Sequence, residues 1–382
     1  MMRIQACSKF FLMDRYELPF LVFVFIGVLS FFLDNFYFQY ATLIFEISFI
    51  YVFIFSINSK IEREYRLVFI ILLFYLVLSF IYVVLYREVN FLDFALSYKS
   101  YYYLMLLVVI AGKVRISPTR LDNFISILLW IFFIKYLVMR LVFDYARPIL
   151  FTENNFELIF LLLIFFFNSV SNGKRDYFSF IILFLIFLLS GSRSSMAALC
   201  LLLPFMTMRK IDSKIIFSLV ILFFAFLGLF FVFVDRLDGN SLSSIDRVKF
   251  YYLFLYEIRD WGIYNYLFGS ERITSLSNYT CSVLSFYEKL FSYSGDGTCY
   301  SVILHSFILR VVFDHGILMS FFLGFIYFRI LIKAGYEKMD ALSVIGVIVI
   351  TSLSVSSLNN AYVAMAIVVG VAVSPLREKQ LS

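Results

Sequence analysis

A few arginines set between apolar runs, together with two histidines, are the residues of this sequence best suited to act on a charged ligand. Arg193 lies in SGSRSS, where glycine and serines leave room around a guanidinium; Arg147 lies with Glu153 in RPILFTENNFE; Arg247 opens RVKFYYLFLYEIRDWG; and Arg140 falls near the outer end of an apolar run shortly before Arg147. A charged group inside or at the rim of a bilayer is costly unless it finds a cavity or a partner, so each is a candidate ligand contact. Arg140 carries a second reading, a side chain that simply snorkels to the membrane surface. The histidines are His305 and His315, and His305 falls in LHSFILRVVFDHGIL, with Arg310 and Asp314 close behind it. Histidine is the side chain whose proton moves near neutrality, which makes it a natural general base, although a lone histidine is more often structural.

These residues must be positioned by helices in lipid. Of 382 residues, 63% are hydrophobic and 15% charged, and the mean hydropathy is +0.93, well outside the range of soluble domains. The net charge of +6 does not indicate nucleic acid, because Lys and Arg recur singly or in small groups between apolar runs. An all-α, polytopic membrane protein is expected. At about 20 apolar residues per crossing, twelve spans are predicted: Leu18–Phe36, Tyr37–Ile57, Leu67–Tyr86, Tyr98–Ala111, Phe124–Phe143, Phe156–Val170, Phe178–Ser190, Ser194–Met208, Ile215–Val234, Gly316–Ile332, Ala341–Leu358 and Ala361–Val373.

Every alternate connection is basic, as in Lys60–Arg66, Lys113–Arg120, Arg209–Lys214 and Lys333–Lys338. By the positive-inside rule those segments and both termini are cytoplasmic, and the other loops face out. The basic start, MMRIQACSKF, has no small-residue cleavage site after it, so a retained first helix is expected. The division is then nine helices over residues 1–234, a large outer loop over 235–300 and three helices over 301–382.

That loop, Asp235 to Tyr300, is 66 residues of polar, Ser-rich chain, far longer than a link between packed helices needs. Ser244 before IDRVKF predicts a helix start there, with aromatic residues at helical spacing, and a helix lying at the membrane surface. The four cysteines, Cys7, Cys200, Cys281 and Cys299, show no C-x-x-C spacing; only Cys281 and Cys299 share the outer loop, where a disulfide is expected. No metal site is predicted, because neither a D-x-D pair nor a His/Cys ligand set is present; Asp235 and Asp238 fit a solvated loop start. Glu46, inside the second span, has no evident role.

The run His305-Ser306, nine residues, then Gly316, with Asp314 two before the glycine, resembles the signature of the O-antigen polymerase and ligase superfamily. SGSRSSMAALCLLLP resembles that family's Gly-Ser-Arg hairpin. The stretch from Arg247 through WGIYNYLFGS resembles its loop pattern ending in a turn glycine, here Gly269. RPILFTENN is similar to an earlier element that contributes Arg147 and Glu153. The similarity spans roughly Arg147 to Gly316.

The resemblance implies a metal-independent, inverting glycosyltransferase of the bacterial inner membrane. Its donor is an oligosaccharide on undecaprenyl diphosphate, no cofactor is needed, and carrier-linked repeat units serve as acceptor; a chain-length regulator is a possible protein partner. Arginines suit a leaving diphosphate because their forked donors match its oxygens, so the implied catalytic set is His305, Arg193 and Arg247. The implied substrate contacts are Arg147, Glu153, Arg140, Asp314 and Arg310. Polymerisation of repeat units is the preferred activity. Transfer to lipid A-core by a ligase shares the chemistry, but Met319 stands where the ligase branch carries Gly, Thr or Tyr. A lipid-linked oligosaccharide flippase also has about a dozen helices, yet it is not expected to carry so long an outer loop.

Overall fold

The computed structural model describes residues 16–33, 38, 40–57, 60–172, 176–207 and 246–373, and every regular element among them is helical. In chain order these are α1 (Leu18–Leu29), α2 (Ala41–Ile57), α3 (Arg63–Phe80, continued by a π turn to Tyr86), α4 (Phe91–Ser97), α5 (Lys99–Ile110), α6 (Pro118–Leu141), α7 (Asn154–Asn172), α8 (Tyr177–Leu189) and α9 (Arg193–Thr207). The loop region holds α10 (Asp246–Glu257), α11 (Ile263–Phe268) and α12 (Asn278–Val283), and the chain continues through α13 (Phe307–Lys333), α14 (Lys338–Ser352) and α15 (Ala361–Ala372). Eleven of the twelve expected spans overlap described helices, several with shifted ends; Ile215–Val234 lies outside the described residues, as do Cys7, Ser244, Asp235 and Asp238.

Local sequence sets the ends. Pro118, whose missing N–H costs nothing at a first turn, opens α6 after Ser117. Asp176 accepts from the backbone N–H groups of Phe178 and Ser179 at 3.1 and 3.3 Å to start α8, and Asn360 does the same for α15 through Tyr362 N–H at 2.9 Å.

Four segments are long and apolar enough to cross a membrane: Arg63–Tyr86, Pro118–Leu141, Asn154–Asn172 and Phe307–Lys333. Large apolar side chains are exposed as well as buried, which fits a membrane protein. α7 is buried nearly all round and packs along α15, every residue of which is buried, whereas α3 lies outermost and exposes Leu67, Ile70 and Phe74. A helix apolar on every side needs either protein or lipid around it; α7 has protein, and α3 leaves most of its apolar surface exposed. Ring stacking fills the centre, with Phe23 on Phe45 at 3.9 Å and Phe45 on Tyr362 at 4.0 Å.

α13 corrects the expected tenth span. It begins at Phe307, nine residues before the predicted Gly316, and Gly316 breaks it with φ +76° and ψ 174°, backbone that only glycine adopts readily. Facing it is Gly269, φ +86° and ψ −175°. A Cβ on Gly269 would sit 2.6 Å from the His315 nitrogen, and one on Gly316 would sit 2.5 Å from the Gly269 nitrogen. The two glycines of the sequence pattern therefore lie backbone to backbone. Ser270 closes the junction, its N–H and hydroxyl donating to the Phe313 carbonyl at 2.7 and 2.9 Å, which satisfies an acceptor near the broken turn.

The loop has its own small core of Phe250, Leu253, Phe254, Ile258, Leu284, Ile303, Leu304 and Phe313. Cys281 and Cys299 are disulfide-bonded beside it, with Cα atoms 5.8 Å apart.

Candidate functional site

His305 ends a 3-10 turn over Ser301–Leu304 in the left-handed conformation, φ +54°, which a histidine adopts more readily than a branched residue. Its carbonyl accepts from the Ser356 hydroxyl at 3.1 Å. Ser306 follows as the first cap of α13, donating its hydroxyl to the Ser352 carbonyl at 2.9 Å. One turn on, buried Arg310 donates Nη1 to Ser356 Oγ at 2.9 Å. The His-Ser pair thus works as a turn and a cap that fix the imidazole over the end of α13. The ring lies against Tyr287 and Phe250, with centroids 5.0 and 5.5 Å away. Its Nε2 is buried with no hydrogen-bond partner among the described residues, which leaves Nδ1 as the nitrogen open to the space beside it.

Arg147 and Arg193 come from segments locked together. Gly191 has φ +62°, and a Cβ there would meet the Ala146 carbonyl at 2.6 Å, so the hairpin before Arg193 closes directly on the chain before Arg147. Asn154 Nδ2 donates to the carbonyls of Pro148 and Ser190 at 2.7 and 3.0 Å. Asn155 Oδ1 accepts from the hydroxyls of Ser192 and Ser194, the two neighbours of Arg193, at 2.7 and 3.2 Å. Fully buried Glu157 accepts from the N–H groups of Leu150 and Phe151 at 2.8 and 2.7 Å and from the Tyr136 hydroxyl at 2.5 Å. Three residues in the first turn of α7 therefore hold both arginine-bearing loops.

The residues converge on a cavity of about 690 Å³. Among the described residues, five cations line it, Lys99, Arg147, Arg193, Arg247 and Arg310, against two carboxylates, Glu153 and Asp246; His305, Asn155, Phe250, Tyr287 and Tyr293 also contribute to the wall. Burial lowers the Arg247 pKa, and the positive charges of Arg147 and Arg193 add to that shift. Three guanidinium groups near enough to repel one another, with fewer acids than cations among the described residues around them, suit a polyanion. Burial raises the Glu153 pKa, opposed by a hydrogen bond from Asn155 and by Arg147 and Arg247. Burial, then Arg310, lowers the His305 pKa, with Asp246 opposing them, so the imidazole is neutral at pH 7 and able to accept a proton.

His305, Arg193, Arg247, Arg147, Glu153 and Arg310 all reach this cavity. Two predicted contacts do not. Arg140 sits in the last turn of α6, where its Nη1 donates to the Tyr145 carbonyl in the following loop at 3.2 Å, and it does not line the cavity. Asp314 is buried behind the wall and accepts from the Ser301 hydroxyl at 2.5 Å, tying α13 to the turn that carries His305. It braces the histidine's turn, one helical turn below Arg310 on the same face of α13. His315, the second histidine, is buried apart among Tyr75, Tyr98 and Tyr101, its Nδ1 2.7 Å from the Tyr75 hydroxyl.

Sequence reading passed over Lys99, Asp246 and Asn155. Lys99 reaches the cavity from α5, and Glu46 is its partner: Lys99 Nζ lies 2.6 Å from Glu46 Oε1, which also accepts from the Tyr103 hydroxyl at 3.1 Å. The signal was available, since an intramembrane carboxylate needs a cation and the fourth span begins with one. No protein-family model matches this chain, and no curated protein matches it.

Proposed function

We propose that this protein is an O-antigen polymerase, joining oligosaccharide repeat units carried on undecaprenyl diphosphate at the outer face of the bacterial inner membrane. The observation that carries the reading is the convergence of Arg147, Arg193, Arg247 and His305, more than 150 residues apart at the extremes, on one cavity. In this reading the chain crosses the membrane twelve times, both termini are cytoplasmic, and the cavity opens outward beneath the Asp235–Tyr300 loop.

The reaction follows from the side chains. His305 Nδ1 takes the proton of an acceptor sugar hydroxyl as that oxygen attacks the anomeric carbon of the donor. The new carbon–oxygen bond forms as the bond from the anomeric carbon to the diphosphate breaks on the opposite face, so the configuration inverts. The electron pair leaves with undecaprenyl diphosphate, whose growing negative charge is met by Arg147, Arg193 and Arg247. Donors already in place where charge develops lower the barrier more than donors that must reorganise, and a removed donor of this kind costs about 3–4 kcal/mol. The bonds from Asn154, Asn155 and Glu157 to the loops of Arg147 and Arg193 are consistent with that demand.

Lipopolysaccharide from a strain lacking the gene tests the activity. A core bearing a single repeat is the expected product. Unchanged polymer overturns the reading, and bare core with polymer retained on the carrier replaces it with a ligase.

A further inference from the structure

α11, Ile263–Phe268, has the sequence IYNYLF, and none of its six residues is buried. Ile263 is 81% exposed, Tyr264 69% and Phe268 47%. The helix is nevertheless firmly attached. Its end is fixed through backbone at the Gly269–Gly316 contact and by Ser270 on the Phe313 carbonyl, while Ile263, Tyr264 and Phe268 stay largely exposed. Uncharged, aromatic and outward is the pattern of a surface with another occupant.

The place of attachment identifies the occupant. Gly316 is where the second half of α13 begins, and from there Leu318, Phe321 and Phe325 form an exposed apolar stripe, Phe321 at 73% and Phe325 at 58%. In a membrane protein that stripe faces acyl chains. α11 sits at its upper end, with Arg259 and Asp260 before it and Glu271 and Arg272 after it. An aromatic segment without charge at the end of a lipid-facing stripe, bracketed by charged residues, has the composition of an interfacial belt. Size argues the same way: six partly exposed side chains offer on the order of 500 Å², below the roughly 800 Å² per partner that a stable protein interface uses.

We infer that α11 is an interfacial anchor, with Ile263, Tyr264 and Phe268 seated at the boundary between headgroups and acyl chains. It pins the loop that carries Arg247 to the membrane beside α13. The inference rests on the membrane reading of α13 and is independent of the reaction assigned to the cavity.

Nitroxide labels on single introduced cysteines, in full-length protein with Cys7 and Cys200 replaced by serine and reconstituted into phosphatidylcholine–phosphatidylglycerol vesicles, provide the test. Tyr264→Cys and, separately, Ile263→Cys should favour collision with oxygen over a water-soluble nickel chelate, placing the label shallower than Phe325→Cys and unlike Ser294→Cys in the loop tip. Chelate access equal to that at Ser294→Cys overturns the inference, and so does occlusion from both reagents, which indicates a covering protein segment. Chelate access at Phe325→Cys instead removes the membrane reading of α13 itself, so the two failures are distinguishable.

Discussion

Asn155→Ala isolates the part of the site that holds Arg193 still. Asn155 Oδ1 accepts two hydroxyl hydrogen bonds, from Ser192 and Ser194, and a neutral bond of this kind contributes about 1 kcal/mol net. Ser192 has one hydroxyl proton and a second acceptor, Ser195 Oγ, 2.8 Å away, so it can redirect that proton and part of the loss is recovered. The expected cost is therefore about 1–2 kcal/mol, or roughly 5- to 30-fold in affinity for a diphosphate. Titration calorimetry of purified protein with inorganic pyrophosphate reads it directly. Because Asn155 also lines the cavity, a double-mutant cycle with Arg193→Ala decides how it acts. If it acts by aiming Arg193, the substitution has little further effect once the guanidinium is gone. An equal loss in both backgrounds would mean that Asn155 meets the anion itself, and an unchanged affinity in the single variant refutes the positioning role altogether.

Arg247→Lys keeps the charge and loses the forked donors, so polymer should fall strongly at matched protein level; pyrophosphate affinity unchanged from wild type contradicts an anion contact. His305→Ala should lower turnover by roughly 10²–10⁴-fold. With His305 present, the rate should be flat through neutral pH and fall on the acid side, below the ordinary histidine value of about 6.5, because the base works only when unprotonated. Arg310→Gln removes a positive charge that disfavours the imidazolium, so the acid limb should move to higher pH; a limb that stays in place separates Arg310 from His305. Gly316→Ala should cost at least about 2 kcal/mol, since alanine resists this backbone and its Cβ meets the Gly269 chain, and thermal unfolding in detergent checks it.

Hydropathy located the long apolar helices among the described residues, though not the short α4, α11 and α12, because an apolar run in lipid must satisfy its backbone polar groups within its own segment. It also marked the arginines and His305, whose cost in such a chain singles them out. The Gly269–Gly316 contact was legible only as two glycines in a pattern; that they meet depends on a helix break, and Gly316 looks from sequence like an ordinary helix start. Arg140 and Arg193 have the same chemistry on paper. Arg140 is taken up by the Tyr145 carbonyl just beyond its helix, whereas the loop of Arg193 is held at the cavity by Asn155, a neighbour distant in the chain. Asp314 and Lys99 traded places with expectation for the same reason. Hydropathy fixes that a helix forms and roughly where it ends, but not its rotation about its own axis. That rotation, set by packing against α7, α15 and the loop core, decided which charges reach the cavity and which serve to brace it.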